Sequence, residues 1–273
     1  MDGRQPAPFG LGKVRSLQSV KVLRLYPPPG RGISDIYEDL ELPPKGCRNA
    51  ARPYVIINSV SSVDGRTAME GKAAGIGSAT DRRTMRTLRS KVDAVMIGAG
   101  TLRAEKLSLG LDSTDGVQQP LATIVTQTGD VPLEKHLIVR GGQEVLILLP
   151  ETAPESVGER LRTLAPVMRA PADPGGAVEL DGALRTLKAQ RGVESLLVEG
   201  GPGLNHALIS RNLVDEIFLT VAPELLGGSA DETFALLRGP ALSARDRPTP
   251  DLVSVHLAGD ELFLRYSIAQ APS

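Results

Sequence analysis

Two glycine-rich turns carry the clearest chemistry in the sequence. Val198-Glu199-Gly200-Gly201-Pro202-Gly203-Leu204 follows the apolar run Ser195-Leu196-Leu197-Val198 and opens a stretch, 203–212, of helical character. Glycine lets the backbone approach a bulky anion and adopt positive φ. A helix start adds unpaired N–H groups and partial positive charge. Together they suit a pyrophosphate. Gly98-Ala99-Gly100-Thr101-Leu102 repeats the logic behind a second apolar run, Asp93 to Gly98, and Thr101 adds a hydroxyl donor. An ordinary strand-to-helix turn is the bland alternative at either place. Two such turns at strand C-termini form the stronger pattern, because ligands of open α/β sheets bind there. Neither turn is G-x-G-x-x-G: Arg103 and His206 stand where the third glycine would be. No G-x-x-x-x-G-K-S/T loop is present either, so a standard Rossmann domain and a P-loop are both disfavoured.

The elements that must position these turns read as alternating strands and helices. Strands are expected at 54–60, 93–98, 121–126, 145–149, 166–169, 195–198 and 216–222. Helices are expected after a Thr80 or Ser78 cap, at 154–164, after an Asp181 cap with Gly192 closing it, and at 203–212. Asp64-Gly65 is a turn signal, with Asp64 read as structural. Ala258-Gly259-Asp260 is a hairpin signal between 253–256 and 261–266. The expected fold is α/β: a mostly parallel mixed central sheet flanked by helices, with a C-terminal antiparallel hairpin. Residues 1–51 differ. They hold Pro6, Pro8, Pro27, Pro28, Pro29, Pro43 and Pro44, and read as an N-terminal extension that wraps the main domain, with a flexible tail as the alternative for its start. Residues 20–25 form a short strand or helix. The main domain is taken as 52–269.

Composition removes several function classes. Hydrophobic residues are 41% of 273, enough for a sizeable core, but aromatics are only 3%, which argues against a stacking platform for single strands. The formal net charge of −1 gives no global field toward nucleic acid or anionic membrane. Cys47 is the single cysteine, and His136, His206 and His256 lie far apart, so neither a disulfide nor a metal site is expected. No transmembrane run or signal peptide is apparent, and a cytoplasmic location is the expectation.

The order of motifs resembles a known family. Arg52-Pro53-Tyr54-Val55, Ser62-Val63-Asp64-Gly65-Arg66, Leu88-Arg89, Asp93-Ala94, Gly98-x-Gly100-Thr101, Gln119-Pro120, Glu199-Gly200-Gly201, Val214-Asp215-Glu216, Ala222-Pro223 and Leu226-Gly227-Gly228 occur in register with the reductase half of the bifunctional riboflavin-biosynthesis deaminase-reductase. The resemblance spans about residues 52–266. It implies a dihydrofolate-reductase-like fold, NADPH as hydride donor and a homodimer. It also implies reduction of the ribosylamino group of a pyrimidine 5′-phosphate to ribitylamino. The deaminase half has no counterpart: one cysteine and three scattered histidines cannot supply a zinc deaminase site. The chain therefore reads as a stand-alone reductase.

By resemblance, Val60 or Ser61, Thr101 and Gly200, Gly201, Pro202, Gly203 and Leu204 fall where NADPH is contacted; Gly98 and Gly100 belong to the second glycine turn beside them, and Thr126 and Gln127, after a strand, are candidates near a 2′-phosphate. Asn58, Arg89, Glu105, Leu109 and Glu199 fall on the substrate side. Glu105 and Glu199 are the catalytic candidates, orienting a hydroxyl or relaying a proton; a solvated carboxylate and a turn-bonding carboxylate are their respective alternatives. Arg82, Arg83 and Arg86 read mainly as a solvated face, while Arg89 is the residue expected to meet an anion bidentately. Lys72 and Lys106 read as surface residues and His206 as non-catalytic. The chain departs from the family at Asn58 (usually Lys), Gly75 (often Trp), Glu105-Lys106-Leu107 (usually Asp-Asp-Pro) and Asp112 (usually Arg). These departures motivate a second reading with a pterin such as dihydrofolate as substrate. A third is a non-catalytic NADPH-binding protein.

Overall fold

A computed structural model describes residues 21–27, 34–44, 48–69, 75–105, 107–112, 118–132, 143–229, 233–244 and 247–269. Cys47, Lys72, Lys106, His136 and the proline-bearing first 20 residues lie outside them.

Unbroken apolar runs, whose successive side chains point to opposite faces, dictate a sheet covered on both. In β2 (Tyr54–Ser62), Ile56 faces one core cluster while Val55 and Ile57 face the other. In β4 (Ala94–Gly98), Val95 and Ile97 face the first, Ala94 and Met96 the second. The first cluster is closed by α1 (Ala79–Arg89), α2 (Ala99–Ala104) and α3 (Glu155–Arg162), which contribute Leu88, Leu102 and Leu161. The second is closed by α4 (Leu180–Arg191) and α5 (Pro202–Ile209), through Leu184, Leu187, Leu208 and Ile209.

The remaining strands of the large sheet are β1 (Val22–Tyr26), β5 (Leu121–Val125), β6 (Val145–Pro150), β7 (Val167–Ala170), β8 (Ser195–Val198), β9 (Glu216–Ala222), β11 (Asp251–Ala258) and β12 (Glu261–Ser267). The ten strands run β1-β11-β12-β9-β2-β8-β4-β5-β6-β7. Every pair from β9 to β7 is parallel; β12, β11 and β1 are added antiparallel. The expected parallel sheet and terminal hairpin are both present. A two-stranded sheet of β3 (Ala68–Met69) and β10 (Thr233–Phe234) has no periodic signal in so few residues.

Local capping corrects one expectation. Glu179, not Asp181, caps α4, its carboxylate accepting from the N–H groups of Asp181 and Gly182. Gly192 closes that helix at φ +65°, as its position suggests. Ser78 caps α1.

Part of the proline-rich stretch joins the sheet. β1 pairs with β11, and Ile36, Tyr37 and Leu40 are buried in the first core cluster. Tyr37 packs edge-on against Phe218 and His256. The opposite face of this antiparallel wing is open. Leu23, Leu257, Leu262 and Val221 stand in one row across four strands; Leu23 is exposed and the other three half-buried.

Candidate active site

The two glycine turns meet at the C-terminal ends of adjacent strands. β8 runs beside β4, so Glu199 N–H donates to the Met96 carbonyl at 3.0 Å and Gly98 N–H donates to the Gly200 carbonyl at 2.9 Å. Gly200 has φ +94°, a conformation that a side chain disfavours. The Gly200–Gly201 peptide is cis. At Gly201, an added Cβ would sit 2.8 Å from Thr101 Oγ1, so the two turns approach more closely than any other residue permits. Neither α2 nor α5 receives a side-chain cap, and Pro202 occupies the first turn of α5, where its missing N–H costs nothing. Both N-caps are glycines, Gly98 and Gly201, so no cap side chain accepts from the first N–H groups of either helix.

Three clefts lie in line over this junction. The first, about 300 Å³, is walled by Val125 to Thr128 after β5, by Arg103 of α2 and by Ala177, Val178 and Leu180. The second, about 460 Å³, lies between the glycine turns and is roofed by Phe234 and Arg238, whose guanidinium stacks 4.9 Å from the Phe234 ring centre. The third, about 470 Å³, is lined by Asn58, Asp81, Arg82, Arg86, Arg89 and Glu105, among others. Gly98, Gly100, Gly203 and Leu204 border both the first and second clefts; Ser59, Thr101, Glu105 and Glu199 border both the second and third.

The third cleft is governed by a buried ion pair that no local motif signals. Arg89 Nε donates to Glu199 Oε1 and Nη2 to Oε2, each at 2.7 Å, while Nη1 donates to the Gly110 carbonyl at 3.0 Å. The side chains are only 5% and 10% exposed. Burial alone would weaken the Arg89 charge; the Glu199 carboxylate outweighs it, and the guanidinium is held more firmly protonated than usual. The expected bidentate fork of Arg89 is thus spent on Glu199, while Arg82 and Arg86, which line the same cleft, are exposed. Arg86 lies 2.7 Å from Asp112, in an exposed pair. Arg82 Nη1 donates to the Gly77 carbonyl.

Among the other candidates, Glu105 caps the C-terminus of α2 half-buried and borders the second and third clefts. Asn58 and Val60 both line the third cleft. Ser61 is 6% exposed within the β2–β9 pairing and lines none of the three; Ser59 occupies the junction instead. Leu109 is fully buried in the first core cluster, because the extended segment turns it inward while its neighbours Ser108 and Gly110 face the cleft. Thr126 borders the first cleft, and its hydroxyl oxygen accepts the Gly129 N–H. Asp64 accepts from the Ser62 hydroxyl and the N–H groups of Leu226 and Gly227, a structural role. His206 bonds the Pro240 carbonyl, away from the clefts.

Asp81 went unnoticed in the sequence. Its carboxyl packs against Gly77 at the start of α1 and lines the third cleft. Burial pushes it up to about 6; the Thr220 hydroxyl opposes this, and Glu261 and Glu199 add to it. Among the described residues no group of three metal-ligating side chains exists, and no helix is long and apolar enough to cross a membrane.

A family model described as the RibD C-terminal domain matches residues 53–247. The 2,5-diamino-6-ribosylamino-4(3H)-pyrimidinone 5′-phosphate reductase of Aquifex aeolicus is 34% identical over 182 residues, covering 65% of this chain and 80% of its own. That of Archaeoglobus fulgidus is 34% identical over 192 residues, covering 67% and 85%. The structure of Acinetobacter baumannii RibD superposes with a TM-score of 0.65 at 25% identity, over 81% of this chain and 59% of that one, so the chain spans about three-fifths of its length. A pyrimidine reductase-like protein from Corynebacterium diphtheriae superposes with a TM-score of 0.64 at 21% identity, over 80% and 93%, a likeness of fold. The expected dihydrofolate-reductase-like α/β architecture is borne out.

Proposed function

The chain belongs to the family of the RibD C-terminal domain, and from that membership we propose that it is an NADPH-dependent reductase of riboflavin biosynthesis, its catalytic unit being residues 52–269 and its location the cytoplasm. Its substrate is a ribosylaminopyrimidine 5′-phosphate, the class named for the Aquifex and Archaeoglobus relatives. The observation that carries the reading is the contact of the two glycine turns, where a Cβ on Gly201 would strike Thr101. A cradle of bare backbone and two uncapped helix starts fits a diphosphate.

Bound there, a reduced nicotinamide supplies hydride. The protein supplies position and electrostatics. The N–H groups at the starts of α2 and α5 would hold the dinucleotide's diphosphate. Ser59, Thr101, Glu105 and Glu199, where the second and third clefts join, would bracket its reacting end. The Arg89 fork fixes the Glu199 carboxyl group in place, so Glu199 presents its remaining lone pairs to a substrate hydroxyl or amine. Glu105, at the same junction, orients the ribosyl end of the substrate. Arg82 and Arg86 at the rim attract its phosphate.

One observation favours a second reading. The third cleft sets Arg82, Arg86 and Arg89 against Asp81, Glu105, Asp112 and Glu199, and Asp112 already occupies Arg86. Such a site suits a substrate without phosphate, a pterin for instance. Following NADPH oxidation with a ribosylaminopyrimidine phosphate and with dihydrofolate decides between them. Turnover of the first supports the proposal; turnover of dihydrofolate alone replaces it, and NADPH binding without either turnover leaves a non-catalytic binder. A homodimer also belongs to the proposal, a second copy covering the open leucine-rich face of β1, β11, β12 and β9. Equilibrium sedimentation tests it, and a monomer at all concentrations removes it.

A further inference from the structure

Three clefts in a row give a bound dinucleotide a direction. If the diphosphate lies on the glycine turns, the reactive ring points toward Glu105 and Glu199, which stand with Ser59, Thr67 and Thr101 in the wall that the second and third clefts share. The adenosine half is then left to the first cleft, beside the end of β5.

That cleft holds a single charged side chain among its described lining residues, Arg103. It stands on α2, one turn after Gly100, and its Nη2 lies 3.9 Å from where a Cβ on Gly100 would be. Its aim is fixed from behind. Nη1 donates to the Asp130 carbonyl at 2.8 Å, and the Asp130 carboxylate lies 3.5 Å from Nε. The hydroxyls of Thr126 and Thr128 are engaged as acceptors by the N–H groups of Gly129 and Asp130, so the turn after β5 is set by its own bonds. No carboxylate lines this cleft among the described residues. A carboxylate is what a site for the unphosphorylated ribose would use to hold its 2′-hydroxyl, whereas an arginine accommodates a 2′-phosphate.

We propose that Arg103 is the residue that selects NADPH over NADH, its guanidinium pairing with the 2′-phosphate of the adenosine ribose while Asp130 holds it in place. The inference rests on the dinucleotide reading above and deepens it. A guanidinium presents two parallel donors to a phosphate, and its hydrogen bonds to a doubly charged group are among the stronger kinds. Arg82 and Arg86, by contrast, line the third cleft and face the substrate.

The test measures dissociation constants of NADPH, NADH, adenosine 2′,5′-bisphosphate and 5′-AMP for the wild type and for Arg103→Ala, with circular dichroism to verify folding. The ratio of NADH to NADPH dissociation constants is expected to fall by roughly 10- to 100-fold in the variant. The preference for the bisphosphate over 5′-AMP is expected to fall in parallel. Arg103→Lys, which keeps the charge but not the fork, is expected to recover part of the ratio. An unchanged ratio in folded Arg103→Ala overturns the assignment. Failure of the wild type to bind either nicotinamide overturns the dinucleotide reading instead, so the two failures are distinct.

Discussion

Replacing Asp81 by asparagine should stabilise the protein at neutral pH and change little in acid. Burial raises this carboxyl from 3.8 to about 6, the nearby carboxylates of Glu261 and Glu199 adding to the effect and Thr220 and Arg82 opposing it. Because the folded value lies above the unfolded one, the folded protein holds the proton more tightly. The stability tied to that proton is complete below about pH 4 and is lost as pH rises through about 6. A displacement of about two pH units corresponds to about 3 kcal/mol, and partial exposure of the side chain screens this to about 2 kcal/mol. Asparagine keeps the shape and an acceptor for the Thr220 hydroxyl but cannot ionise. Asp81→Asn should therefore match the wild type near pH 4.5 and exceed it at pH 8, by roughly 4–8 °C in Tm for a chain of this size. Thermal unfolding of both proteins at pH 4.5, 6 and 8 provides the check. A Tm difference that does not vary with pH, or a variant less stable at pH 8, would refute the reasoning.

Other perturbations address the remaining parts of the site. Gly201→Val must push Thr101 away and part the two turns, and should weaken NADPH by roughly tenfold or more, a loss comparable to one hydrogen bond to a charged group; an unaltered dissociation constant in the folded variant counts against the cradle. Arg89→Ala strands the Glu199 carboxylate in a buried site and should cost roughly 3–5 kcal/mol in urea unfolding. Adding Glu199→Gln should recover much of that loss, and equal instability of the single and double variants would show that the pair is not the cause. Acid should destabilise the docking of β1. His256, paired with Arg24 of β1 from the neighbouring β11, has its pKa lowered to about 4 by burial, with Arg24 adding to the shift. Its folded value lies below the unfolded one, so the stability it contributes is full above about pH 6.5 and falls as pH drops toward 4. Hydrogen exchange of β1 amides at pH 5 and 7 reads this, and protection that does not change with pH would contradict it.

What the sequence discloses and what it hides follow from the range of the interactions. The strands were legible because an unbroken apolar run is a local signal: Val55, Ile56 and Ile57 announce two covered faces without any knowledge of neighbours. The glycine turns were legible because only glycine meets the backbone demand at Gly200 and the close approach at Gly201. The partner of Arg89 was not, since Glu199 is 110 positions away and meets it only through the β4–β8 pairing. Asp81 was silent for the same reason: Thr220 and Glu261, which shape its surroundings, come from β9 and β12. Leu109 was misassigned because matching a motif fixes a position along the chain, not the direction in which a side chain leaves an extended segment. Residues 22–26 were ambiguous because a single edge strand lacks the period that longer elements display, and its proline-rich surroundings obscure where it ends.

The grip of two glycine turns on a diphosphate is tested most directly by a crystal structure of the protein with NADPH. The account predicts diphosphate oxygens about 3 Å from the N–H groups of Gly203 or Leu204, with the nicotinamide toward Glu105 and Glu199. A dinucleotide bound in reverse, or a junction between Gly98 and Gly201 that stays closed to it in crystals grown at saturating NADPH, would contradict it.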